Sequence, residues 1–201
     1  MCSGGQDVSV SSTRFSTKSY SPDNIWFTSD NHFGHEQIIF HCNRPFANAR
    51  EMDDKMVENW NSLVKPNDIV FHLGDFCFGS IDNWKAIRSR LNGTIRLIRG
   101  NHDKLQTGQI SDLFESINDY LKIRVEDKDG NQGWQYLILS HYAFRVWDQS
   151  HHNSFHLYGH SHGNLPDDPT SLSFDVGVDC HDFRPISYDQ VKQIMSKKTG
   201  R

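Results

Sequence analysis

Five short polar motifs in this chain offer the donors a metal ion takes: Asp30-Asn31-His32, Gly74-Asp75, Gly100-Asn101-His102-Asp103, His141, and Gly159-His160-Ser161-His162. They combine carboxylate and amide oxygens with imidazole nitrogens, a set that suits first-row divalent ions such as manganese, iron or zinc. Most of them follow an apolar run that reads as a β-strand, and strand ends of an α/β sheet are where ligands and catalytic groups gather. Two such ions a few ångströms apart can clamp a phosphate and activate water. The chemistry expected is therefore metal-assisted hydrolysis of a phosphate ester.

The elements that must position these residues are readable from periodicity. Ile25 to Ser29, Ile69 to Leu73 and Thr94 to Arg99 are apolar runs that read as buried strands delivering Asp30, Asp75 and Asn101. Between them, Glu51 to Val64 places Met52, Met56, Trp60 and Leu63 on one helical face, and residues 81–91 do the same with Ile81, Trp84, Ile87 and Leu91. A short helical turn is expected over Glu36 to His41. After Phe114 the pattern changes. Tyr120 to Val125 and Trp134 to Leu139 read as a hairpin around Asp129-Gly130-Asn131, the second strand delivering His141. Phe155 to Tyr158 and Ser173 to Val178 read as further strands, and Tyr188 to Met195 as a closing helix. Strand–helix alternation followed by hairpin pairing predicts a layered α/β sandwich of mixed sheets. Residues 1–22 are polar and Ser-rich and read as a flexible leader, with 23–201 as a single domain.

Composition narrows the function. The 201 residues carry a formal net charge of -4, which argues against a nucleic-acid coat or a polybasic membrane binder. No strong duplex nucleic-acid binding is expected, and no run of residues has transmembrane length. Neither a signal peptide nor a Cys-x-x-Cys pair is visible among Cys2, Cys42, Cys77 and Cys180, so the expected setting is a reducing cytoplasm. Histidine is abundant, with five of the 12 inside the motifs.

The ordered motif set, Asp-x-His, Gly-Asp, Gly-Asn-His-Asp, a lone His and Gly-His-x-His, resembles the calcineurin-like metallophosphoesterase superfamily from Asp30 to His162. The resemblance implies a four-layer α/β/β/α sandwich and a two-metal centre. By it, Asp30, His32 and His162 hold one metal, Asn101, His141 and His160 the other, and Asp75 bridges both. It also implies hydrolysis by a hydroxide bridged between the two ions. His102 would then be the general acid at the leaving group, oriented by Asp103. The ions expected are two divalent cations, manganese first, with iron, zinc, nickel or cobalt as alternatives.

Around this set, His35, Arg44 and Arg184 are candidates to touch substrate, since guanidinium forks match phosphate. The two arginines read equally well as structural. His72 reads as a packed histidine. The loops Phe33 to Arg50 and Tyr142 to Ser154 are long, and the first is a candidate lid. The chain resembles the small stand-alone bacterial and phage-type members. A phosphodiesterase acting on a small phosphorylated or nucleotide-like compound is the leading reading. A phosphomonoesterase or nucleotide pyrophosphatase comes next, and a nuclease acting on nucleic-acid ends is a third possibility. The rival from another class is a non-catalytic protein-binding scaffold, for which His102 would have no use. A homo-oligomer is compatible with the sequence.

Overall fold

The structure, a computed structural model, describes residues 17–199. In chain order its elements are β1 (Ser19–Tyr20), β2 (Ile25–Thr28), α1 (Glu36–His41), α2 (Ala49–Leu63), β3 (Ile69–His72), α3 (Ile81–Arg88), β4 (Thr94–Ile98), α4 (Thr107–Ile110), β5 (Ser116–Asn118), β6 (Tyr120–Asn131), β7 (Trp134–Ser140), β8 (Phe155–Tyr158), β9 (Ser173–Asp175), β10 (Ile186–Ser187) and α5 (Tyr188–Met195). They build two five-stranded sheets, β10-β2-β3-β4-β5 and β1-β6-β7-β8-β9. The first is parallel except for β10. The second is parallel except for the β6–β7 hairpin. Two mixed sheets flanked by helices are the α/β sandwich that the pattern and the motif resemblance lead one to expect.

The strands of the first sheet are apolar on both faces because both faces are covered. Phe27, Phe71, Leu73 and Ile98 point between the sheets, where they meet Ile123, Val125, Leu137, Leu139 and Leu157 of the second sheet. Val70, Ile95 and Leu97 point the other way, onto Met52, Met56 and Trp60 of α2 and Trp84 and Ile87 of α3. The four-residue spacing of Met52, Met56 and Trp60 gives α2 its buried face. Its start is fixed by Asn48, whose side chain accepts the Glu51 N–H at 2.9 Å.

Register is what gathers the motifs. Thr28 pairs with His72 and His72 with Leu97, so β2, β3 and β4 end nearly level. Leu139 pairs with Leu157, which levels the ends of β7 and β8. A bridge from Ser29 to Gly177 ties the two sheets together at this same end.

Three features depart from the sequence reading. The hairpin turn is Gln132-Gly133, both at positive φ (55° and 82°), and not Asp129-Gly130-Asn131. β6 runs on to Asn131 through a register shift against Trp134. Gly130 lies in that irregular stretch, where a Cβ would come within 2.3 Å of the Trp134 carbonyl oxygen, so it serves close strand approach rather than the turn. Residues 1–16 of the expected leader lie outside the described residues, but Ser19–Tyr20 already pair with Arg124 and Val125. Third, the two- and three-residue strands β1, β5 and β10 were not foreseen. Among the described residues no helix is long and apolar enough to cross a membrane.

The closing helix α5 is pinned by one buried polar cluster. The Tyr188 hydroxyl donates to Asp127 Oδ2 at 2.6 Å, and Lys192 Nζ donates to Asp127 Oδ1 at 2.9 Å. Burial works to raise the Asp127 carboxyl, but these donors outweigh it and hold the carboxyl below its usual range. The resulting stabilisation is present above the ordinary aspartate value of about 4 and is lost as pH falls through the lowered one. Tyr188→Phe is expected to cost about 1.5–3 kcal/mol at pH 7, the worth of a hydrogen bond to a charged group. The gap to wild type should narrow toward pH 3, as read by denaturant unfolding at both pH values.

Candidate metal centre

The backbone turns hard at five of the site residues. Asp30, His32, Asp75, His160 and His162 have φ of 58°, 51°, 55°, 70° and 48°. None is glycine, and each left-handed residue of this kind costs on the order of 1–2 kcal/mol. Such conformations persist where the surrounding fold enforces them, and they concentrate at functional sites. Gly100 and Gly159 serve a different need, which is room. A Cβ on Gly100 would lie 2.2 Å from Asp75 Oδ1, and one on Gly159 would lie 2.3 Å from Asp30 Oδ2.

These turns bring the candidate ligands together in two groups. One donor atom from each of Asp30, His32 and His162 falls within 4.8 Å of the others, and the same holds for Asp75, His141 and His160. Asn101 joins the second group, its Oδ1 lying 2.9 Å from His141 Nε2. Asp75 lies between them, with Oδ2 3.4 Å from His32 Nε2 and 3.6 Å from His141 Nε2. Its other oxygen, Oδ1, accepts the His102 backbone N–H at 2.8 Å.

The donor set fits a metal on two observations. Asp30 Oδ1 and His32 Nε2 are buried with no hydrogen-bond partner, although they face the gap a cation would fill; buried polar atoms are otherwise almost always satisfied. Three imidazoles also have their far nitrogen already bound, as metal-ligating histidines usually do. His141 Nδ1 donates to the Leu73 carbonyl at 2.8 Å, which leaves a lone pair on Nε2. His162 Nδ1 meets Asp179 Oδ2 at 2.7 Å, and His32 Nδ1 meets His35 Nδ1 at 3.3 Å.

Charge behaves accordingly. Burial pushes the Asp30 carboxyl up to about 8, so it needs a positive neighbour to stay ionised. Burial opposes charge on His162, but Asp179, Cys42 and Asp30 outweigh it and lift the imidazole to about 10. Burial drives His32 strongly down and keeps it neutral. A cation entering this cluster would therefore displace the His162 proton. Cys42, His162 and Asp179 form a third close group, but Asp179 is already paired with a buried guanidinium, which opposes a second cation.

Asp103 does not touch the His102 ring, contrary to the orienting role expected of it. Its carboxylate accepts three backbone N–H groups, those of Asp75 and Gly100 at Oδ2 (2.9 and 2.8 Å) and that of Phe76 at Oδ1 (2.9 Å). It therefore braces the two loops that carry Asp75 and Asn101. The His102 ring lies edge-on to His32, with centroids 5.3 Å apart, and its Nδ1 is buried without a partner.

The expected substrate contacts divide. Arg44 is not available to phosphate. Its side chain is fully buried and grips both oxygens of Asp179 at 2.8 and 2.7 Å. It also donates to the carbonyls of Asp30 and Asn31 at 2.7 and 2.9 Å. Arg44 thus orders the first motif and, through Asp179, the His162 imidazole. Arg184 is exposed and makes no side-chain hydrogen bond or ion pair with the described residues. His35 does stand at the site, stacked on Phe78 at 4.1 Å and backing His32. His72 is packed: Nδ1 accepts the Gly74 N–H, so Nε2 donates to Asn31 Oδ1, and burial lowers it to about 3. Asp175, unremarked in the sequence, holds the last motif by accepting the Ser161 hydroxyl at 2.7 Å and the Gly163 N–H at 3.2 Å. Tyr142 and Phe78, also missed, lie against site histidines. No spacing signal marks either, since both are single aromatic residues in loops.

Because Arg44 and Asp179 form a buried pair, Arg44→Ala is expected to destabilise the protein by about 3–5 kcal/mol, leaving the Asp179 carboxylate with His162 as its one remaining partner. A large fall in unfolding midpoint is the expected readout. A variant of wild-type stability with only a raised KM would return Arg44 to the substrate.

No known family's sequence profile matches the chain. It is 33% identical over 180 residues to the uncharacterized protein MJ1445 of Methanocaldococcus jannaschii, covering 86% of this chain and 92% of that one. The Gene 66 protein of Mycobacterium phage D29 is 29% identical over 200 residues, covering 86% and 96%. Among solved structures, the protein of unknown function AQ665 from Aquifex aeolicus superposes with a TM-score of 0.68 at 25% identity, over 87% of this chain and all of that one. At that identity and coverage, the chain belongs to the same family as MJ1445.

Proposed function

We propose that this protein is a metal-dependent phosphoester hydrolase of the metallophosphoesterase kind, with phosphodiesters as its preferred substrates. The observation that carries this is Asp75 Oδ2, which lies 3.4 and 3.6 Å from imidazole nitrogens of two separate donor groups. Asp30, His32 and His162 would hold one divalent ion, and Asn101, His141 and His160 the other, with Asp75 shared and manganese the first candidate. Bound there, the ions would supply Lewis acidity and lower the pKa of water to near neutrality.

The protein's own part is positioning and proton transfer. A carboxylate can be shared because it has two oxygens, but here one is spent on the His102 N–H. Sharing therefore falls to Oδ2, and the same bond fixes the backbone of His102 beside the centre. The ring of His102 is partly exposed. With Nδ1 buried, Nε2 is the nitrogen left to deliver a proton to the leaving oxygen. An imidazole suits that task near neutral pH. An inert binding scaffold would have no use for this histidine beside a complete donor set.

The test is turnover of bis-p-nitrophenyl phosphate against p-nitrophenyl phosphate by metal-stripped protein resupplied with Mn²⁺. Faster diester hydrolysis is expected; the reverse ratio would move the assignment to a monoesterase, and a protein that binds no metal would revive the scaffold. His102→Ala should bind metal as wild type does and slow esters with poor leaving groups by roughly 10²–10⁴-fold. Esters with activated aryl leaving groups should suffer less, and an equal loss on both would remove His102 from the role of acid.

A further inference from the structure

The exposed large apolar side chains of this protein are not scattered. Phe40, Phe78, Tyr120, Tyr142, Val146 and Leu165 make up that set among the described residues. Each lies in, or abuts, a segment leaving a strand end that carries a site motif. Phe40 follows His32, Phe78 follows Asp75, Tyr142 and Val146 follow His141, and Leu165 follows His162. Tyr120 pairs with Ser140, next to His141. Exposed aromatic side chains that touch a polar centre mark a binding surface, and two of the six do so.

Two of these residues touch the centre itself, one beside each donor group. Phe78, 37% exposed, stacks on His35 at 4.1 Å and lies 6.1 Å from the His102 ring. Tyr142, 48% exposed, stands edge-on to His160 at 4.7 Å and to His141 at 5.0 Å. Neighbouring contacts run from Phe78 through His35 to His32 of the first donor group, and from Tyr142 to His141 and His160 of the second, with Asp75 shared between the groups. A phosphorus atom held between the two donor groups would have one aromatic ring beside each group. A monoester has a single organic group and could use only one of them.

We infer that the substrate is a phosphodiester bearing a flat aromatic group on each side of phosphorus, an aryl or nucleoside diester, and that Phe78 and Tyr142 are its specificity residues. This rests on the phosphoester hydrolase reading above. Phe78, beside His102, takes the group that leaves; Tyr142 takes the group that stays. Water's oxygen bonds to phosphorus as one of its protons passes to solvent, the bond to the leaving oxygen breaks, and the proton from His102 goes to that oxygen, His102 regaining one from solvent.

The test compares methyl p-nitrophenyl phosphate with phenyl p-nitrophenyl phosphate, which share a leaving group and differ only in the retained one. Stacking on an aromatic side chain predicts a kcat/KM for the phenyl ester roughly tenfold higher in wild type, mostly through KM. In Tyr142→Ala the ratio should fall to about one, and in Tyr142→Phe it should be kept. Phe78→Leu should keep the ratio while raising KM for both esters. Equal kcat/KM for the two esters in wild type, or a ratio unmoved by Tyr142→Ala, would overturn this inference and leave the hydrolase reading standing. A wild type that binds metal yet hydrolyses neither ester would overturn both.

Discussion

The Asp75 carboxylate is the constraint on which the site is built. One oxygen accepts the His102 N–H and the other faces imidazoles from β2 and β7 of different sheets. Holding it there requires Asp75 to adopt a left-handed backbone, Gly100 to lack a side chain, and Asp103 to seize the N–H groups of Asp75, Phe76 and Gly100. The two sheets converge at this end because the residues beside them are tied in the same way. Asp30 Oδ2 takes the His160 N–H at 2.8 Å, across 130 residues of sequence.

Buried carboxylates are costly unless each lone pair is used. Asp103 uses backbone N–H groups, Asp175 uses the Ser161 loop and the Gly177 N–H, and Asp179 uses Arg44 and His162. Asp30 Oδ1 breaks the pattern. It is among the seven buried side-chain atoms of the described residues left without a partner, and His32 Nε2 and His102 Nδ1 are two of the others. Asp30 Oδ1 and His32 Nε2 belong to one donor group, beside a backbone in the left-handed region at five residues, and two such atoms in one group are what a candidate cation site would show.

What was legible in the sequence follows from this. Strand ends that deliver chemistry are preceded by apolar runs buried on both faces, so the positions of Asp30, Asp75, Asn101 and His141 at strand ends were readable from local pattern, while their roles came from the motif resemblance. The bracing could not. Arg44 and Asp179 meet across 135 residues, and Asp103 reaches the Asp75 loop across 28. No local spacing encodes such pairs, so Arg44 read equally well as a phosphate contact or a structural arginine, and Asp103 took its orienting role from the motif resemblance. β1, β5 and β10 are too short to show a period of two. The hairpin misled for a steric reason: Gly130 is demanded by the Trp134 backbone and imitates a turn signal.

Charge accounting explains why the bracing matters to the chemistry. Of the described aspartates around the centre, Asp30 and Asp75 turn an oxygen toward the metal-facing side of the donor groups; Asp103, Asp175 and Asp179 spend theirs on backbone, hydroxyl, the outer nitrogen of His162 and guanidinium donors. The remaining inner donors, Asn101 and four imidazoles, are neutral as ligands. Two dications facing two negative charges would keep a surplus of positive charge, and that surplus would be directed at an anionic phosphate despite a net charge of -4 on the whole chain. Had Arg44 faced the substrate instead of Asp179, the Asp179 carboxylate would be free to cancel part of that surplus. The buried ion pair thus serves the site by removing a negative charge from it.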